Sequence, residues 1–145
     1  MKLTVGLDTN ILCYSLDPAY AEHPRAKDLL LSLSNENTLA INPTVIHESY
    51  HTLVHGQKFT RAEATNRLGL VLNHPYIYFL NQTKRTCQIG LDIATRYTLG
   101  GREALILANY ISSKVPVIYT HDRELLSLQC VKWRSATIDT RDPLA

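Results

Sequence analysis

At 145 residues and 16.4 kDa, 45% hydrophobic and 19% charged, the chain has material for one core, as a single domain 1–145, and too little charge for disorder. No apolar run reaches membrane-spanning length, and Asp8 arrives too soon after Met1 for a signal-peptide apolar region; Cys13, Cys87 and Cys130, with no CxxC, fit reduced thiols in a cytoplasmic protein better than a disulfide framework. The net charge of +2 conceals a division: residues 1–55 carry three basic and six acidic side chains, 56–102 carry seven basic against Glu63 and Asp92, and the rest balances.

Thr4-Val5-Gly6-Leu7 predicts a buried strand at 3–7 running into a short helix, Thr9 to Ser15, with Asp8 at the junction. Ala26 to Leu33 has helical apolar spacing with Pro24 near its start, and Thr38 to Ile41 is a second short apolar run. Asn42-Pro43 reads as an N-cap followed by proline at the first helical position, and Gly56 closes that helix. Thr60-Arg61-Ala62-Glu63 is a capping box for a helix to about Asn73. Tyr76 to Leu80 is rich in β-formers, and Thr83 to Leu99 is helical up to Gly100-Gly101. A helix over Arg102 to Lys114, a strand over Pro116 to Thr120, a short helix over Asp122 to Leu128 and a fifth strand over Val131 to Ile138 complete the chain. Alternating strands and helices predict an α/β sandwich, with a parallel five-stranded sheet covered by helices on both faces.

In such sheets functional groups gather at the carboxyl ends of strands, and four acids stand at strand ends or helix starts: Asp8, Glu48, Glu103 and Asp122. Helix capping alone would account for Asp8 and Asp122, and the helix dipole for Glu103. Glu48 is harder to explain, because it falls mid-helix among Val45, Ile46, Tyr50, Leu53 and Val54. Carboxylates meeting at one edge repel unless a cation lies between them, and an oxygen-only donor set suits Mg²⁺ or Mn²⁺. An acidic cluster beside a basic middle segment then points to phosphodiester chemistry on a polyanion.

His47-Glu48-Ser49-Tyr50-His51 also matches H-E-x-x-H, the zinc metalloprotease motif. A third ligand is wanting, since Val54 and Gln57 stand where an extended motif needs Gly and His, and that reading leaves Asp8, Glu103 and Asp122 without a role. Asn10 replaces the second carboxylate an aspartyl phosphatase would need, and no Gly-rich phosphate loop is present.

Four segments taken in order resemble the PIN-domain nucleases, and among them the VapC-type toxins of prokaryotic toxin–antitoxin pairs: Leu7-Asp8-Thr9-Asn10-Ile11-Leu12, Val45-Ile46-His47-Glu48, Gly101-Arg102-Glu103-Ala104-Leu105 and Val117-Ile118-Tyr119-Thr120-His121-Asp122. The resemblance spans essentially the whole chain. It implies a metal-dependent endoribonuclease whose Asp8, Glu48, Glu103 and Asp122 hold Mg²⁺ or Mn²⁺, with Asn10 and Thr120 in support. It further implies RNA contacts from the basic segment, for which Arg85, Arg96 and Arg102 are the first candidates, a homodimer and a small antitoxin partner. Glu103 stands where the family usually has Asp. That departure leaves a catalytically weak RNA-binding or RNA-processing module as the alternative.

Overall fold

The computed structural model describes residues 3–145. In chain order the elements are β1 (Leu3–Leu7), α1 (Thr9–Leu16), α2 (His23–Leu31), β2 (Asn37–Ile41), α3 (Pro43–His51) with a π-helical extension (Thr52–Gly56), α4 (Arg61–Leu72), β3 (Ile77–Phe79), α5 (Lys84–Tyr97), α6 (Gly101–Ser112), β4 (Val117–Tyr119), α7 (Arg123–Leu128), β5 (Cys130–Trp133) and β6 (Ala136–Arg141). The strands form one sheet in the order β3-β2-β1-β4-β6-β5. Four of its five pairings are parallel. No helix among the described residues is long and apolar enough to cross a membrane.

The expected five-stranded parallel sheet is corrected to six strands. The run read as one strand over 131–138 is a hairpin: Arg134 takes a left-handed conformation at φ 54°, so that Trp133 faces Ala136 and β5 pairs antiparallel with β6. The turn Arg134-Ser135 contains no glycine or asparagine, the usual residues at positive φ, so nothing local announced it.

Both faces of the sheet centre are covered. β2 buries Thr38, Leu39, Ala40 and Ile41 in succession, the pattern of a strand enclosed on both sides. Helix α6 is the central post, burying Ala104, Ile106, Leu107, Ala108, Asn109, Tyr110 and Ile111. The Tyr110 hydroxyl donates to the carbonyls of Leu7 and Ala40, tying the ends of β1 and β2 together. Glycine is required at position 6 because a Cβ there would lie 2.6 Å from two ring carbons of Tyr110. Tyr110 therefore sets the height of β1, and with it the place where Asp8 leaves the sheet.

Candidate active site

Asp8, Glu48, Glu103 and Asp122 come from four separate elements and line one cavity of about 480 Å³. It opens at the carboxyl edge of the neighbouring strands β1 and β4. Asp8 follows β1 and caps α1, its Oδ1 accepting from the Thr9 N–H at 2.8 Å. Its Oδ2 accepts from the Thr120 hydroxyl at 2.7 Å. Burial raises the Asp8 pKa above the ordinary carboxylate value, with Glu48 and Asp122 adding repulsion and the two hydrogen bonds opposing it. Thr120 is fully buried and also accepts from the Asp122 N–H at 3.0 Å, so one hydroxyl sets two of the acids. Asp122 caps α7 through Oδ1, which takes the N–H groups of Glu124 at 2.8 Å and Leu125 at 3.3 Å.

Glu48 is aimed from α3 by a residue that the sequence did not single out. The Thr9 hydroxyl donates to Glu48 Oε1 at 2.8 Å, and Arg102 Nε lies 3.3 Å from Oε2. The Arg102 side chain is 79% exposed, so this ion pair contributes at most about 1 kcal/mol and is easily exchanged for another partner. Glu103 sits in the first turn of α6, at the third helical position, with its carboxylate turned back toward the N-cap Gly100. Partial burial raises its pKa, reinforced by Asp122, Glu124 and Asp8.

The two acid-bearing helices are clamped by a buried amide pair. Asn42 caps α3 through the Val45 N–H at 3.0 Å and donates to Asn109 Oδ1 of α6 at 3.1 Å. Asn109 in turn donates to the carbonyls of Leu80 and Asn81, which fixes the end of β3 as well. Asn109 was legible in principle as a polar residue on the inward face of an otherwise apolar helix, between Ala108 and Tyr110.

Among the remaining expected site residues, Asn10 lines the cavity and accepts from the His121 N–H at 3.3 Å. Arg102 lines it too, whereas Arg85 lies over the ring of Trp133 and Arg96 pairs with Asp92 at 3.5 Å, both outside it. His51, Tyr14 and Tyr20 complete the rim. In the H-E-x-x-H segment His47 is exposed, Glu48 is held by Thr9 and Arg102, and the His51 ring lies 4.6 Å from that of His55. The zinc reading gains no third ligand from this geometry.

Among the described residues, no group of three or more His, Cys, Asp and Glu side chains stands ready to hold a metal ion directly. The donor set still fits a hard divalent cation. It is all oxygen, two of its carboxylates are raised by burial and mutual repulsion, and the cavity has room for water. Mg²⁺ usually keeps several waters and takes only one or two carboxylates directly, so converging but separated acids suit it.

The PIN domain family model matches residues 5–129. The fold is similar to that of Mycobacterium tuberculosis VapC20, a sarcin–ricin loop cleaving toxin, with a TM-score of 0.70 at 15% identity over 82% of this chain and 90% of that one. A toxin–antitoxin complex from Klebsiella pneumoniae gives 0.59 at 21% identity over 81% and 86%. FitAcB from Neisseria gonorrhoeae gives 0.61 at 16% identity over 96% and 97%. No curated protein sequence matches the chain.

Proposed function

The chain belongs to the PIN-domain family, and from that premise we propose that it is a Mg²⁺- or Mn²⁺-dependent endoribonuclease acting in the cytoplasm as the toxin of a toxin–antitoxin pair. The observation that carries the reading is the convergence of Asp8, Glu48, Glu103 and Asp122, from four elements, on one cavity at the sheet's carboxyl edge. The chemistry required of the metal, when bound, is to lower the pKa of a water and to neutralise charge at the scissile phosphate. The residues supply the geometry. Asp8, with both oxygens held, is the fixed ligand; Glu48 is oriented through Thr9; Asp122 commits Oδ1 to its cap and keeps Oδ2 for the cation or its water. Arg102, loosely held by Glu48, is placed to take a phosphate oxygen when RNA enters.

Purified protein is expected to cleave RNA with Mn²⁺ or Mg²⁺, to stop in EDTA, and to lose cleavage in Asp8→Asn while keeping its fold. The toxin assignment draws support from structural neighbours that include toxin–antitoxin complexes, and a small antitoxin together with a homodimer belong to the same proposal. Light scattering of the pure chain, alone and co-expressed with a small protein encoded beside it, tests both.

One observation favours a second reading. Glu103 reaches back to Gly100 and Arg102 already occupies one Glu48 oxygen. A wild type that binds RNA without cutting it under any divalent metal would make this chain an RNA-binding module with a weakened centre.

A further inference from the structure

The strongest unexplained feature lies away from the acids, where α5 meets the hairpin. Trp133, the chain's one tryptophan, ends β5 half-exposed, with the guanidinium of Arg134 centred 4.7 Å from its ring and that of Arg85 5.1 Å. The indole edge is pinned, since Nε1 donates to Asp92 Oδ2 at 2.9 Å, and Asp92 also holds Arg96. Tyr97, at the last turn of α5, takes the Lys132 N–H at 2.8 Å, which fastens the strand along the helix. Arg85 and Arg134 thus lie over one aromatic ring, and Asp92 ties Arg96 to its edge.

Its position relates it to the cavity. Trp133 faces Ala136 at the start of β6, whereas Arg141 at the end of β6 stands level with Tyr119 at the acid edge. Five residues at ~3.3 Å place the ring roughly 16 Å from that edge along the strand. On α5, Arg85 and Arg96 stand eleven residues, or about three turns, apart on one side of the helix, and Arg102, at the start of α6, lines the cavity. Within a molecule of net charge +2, cations thus stand both at the aromatic ring and at the carboxylate site.

We propose that the α5–β5 seam is a secondary binding track for single-stranded RNA, on which an unpaired base takes the place of a guanidinium over the Trp133 ring, while Arg85, Arg96 and Arg134 turn to the backbone phosphates. The inference rests on the RNA reading above for its substrate class. The combination of a clamped aromatic face and flanking guanidinium groups is what sequence-tolerant strand binding needs, because every base offers a π-face and every linkage a charge. The seam supplies affinity at a distance, and the acids act on whatever phosphate is delivered.

The tryptophan makes the test direct. Its emission is followed in Asp8→Asn protein in EDTA, so that no cleavage intervenes, while an unstructured oligouridylate is added at several salt concentrations. Binding is expected to change Trp133 emission. Arg85→Glu/Arg134→Glu is expected to weaken binding at least tenfold at low salt and to lower the log–log salt slope by about 1.4, for two lost phosphate contacts. Trp133→Leu, followed with end-labelled RNA, is expected to weaken binding roughly five- to hundredfold, and Trp133→Phe to recover most of it. Unfolding curves confirm that each variant is folded. RNA binding that leaves Trp133 emission and the charge-reversal variant unaffected overturns the proposal, as does an equal response to polyglutamate, which would mark a site for acidic protein. Binding through the seam by a wild type that cuts no RNA sinks the nuclease reading and leaves this one standing.

Discussion

The acid cavity and the α5–β5 seam are both charged, but they are held together in opposite ways. In the cavity three of the acids are held by hydrogen bonds: Asp8 by Thr120, Glu48 by Thr9 and Asp122 by helix N–H groups. Thr120 and Thr9 arrive from far along the chain, 112 residues from Asp8 and 39 from Glu48. The seam is assembled from exposed long side chains around one ring, over contacts that water and salt weaken. A buried network fixes geometry and therefore rate. A solvated cationic cluster fixes little geometry and contributes encounter and affinity.

The contrast is broken most severely at Asp8. Removing its charge is expected to lower kcat about a thousandfold or more, since stabilisation by the metal is worth several kcal/mol and each 1.36 kcal/mol is tenfold. Stability should move the other way. The folded pKa of Asp8 lies above its unfolded value, so its ionised form costs stability as pH rises through that interval, and the cost persists above it. In EDTA at neutral pH, Asp8→Asn is therefore expected to melt no lower than the wild type, and divalent metal is expected to raise the wild-type Tm alone. A lower Tm for the variant, with metal absent, would mean that the carboxylate is structural.

Thr120→Val comes next, because it removes a hydrogen bond to Asp8 and leaves the Asp122 N–H without its acceptor. Loss of such a supporting group costs ten- to hundredfold in metal affinity or activity, which metal titration of the cleavage rate would read. Tyr110→Phe tests the scaffold below the site. It leaves two buried carbonyls short of a donor and should cost about 1–3 kcal/mol in denaturant unfolding, with no change in RNA affinity at the seam.

These three positions also show what the sequence made legible. Asp8 and Asp122 were readable because a strand end followed by a helix start is a local pattern, and Glu48 because a carboxylate amid apolar neighbours violates one. The sheet's parallel part followed from alternation. Thr9, the Asn42–Asn109 pair and the platform under Gly6 were not identified, since each acts across 39 to 103 residues and no local rule pairs them. Arg85 and Arg96 were marked as cations for the RNA backbone, but their setting beside Trp133 and Asp92 was not foreseen. Their place depends on Trp133, whose strand was misjudged because the Arg134-Ser135 turn has no glycine or asparagine to mark it.

Arg102 is where the two regions meet, and the effect expected there is the smallest. Arg102→Ala removes an ion pair whose cationic member is mostly in solvent, so the change in stability should stay within about 1 kcal/mol. Kinetics separate its two possible roles. If Arg102 passes from Glu48 to the substrate phosphate, the variant has a higher KM for RNA, and its metal requirement is unchanged or slightly eased. If it instead blocks Glu48 as a ligand, the variant needs less Mn²⁺ for half-maximal cleavage and is the faster enzyme. The proposed mechanism expects the first result. The exposed end of the Arg102 side chain can follow an incoming phosphate, whereas Glu48 keeps its hydrogen bond to Thr9 and so stays aimed at the cavity whichever way Arg102 turns.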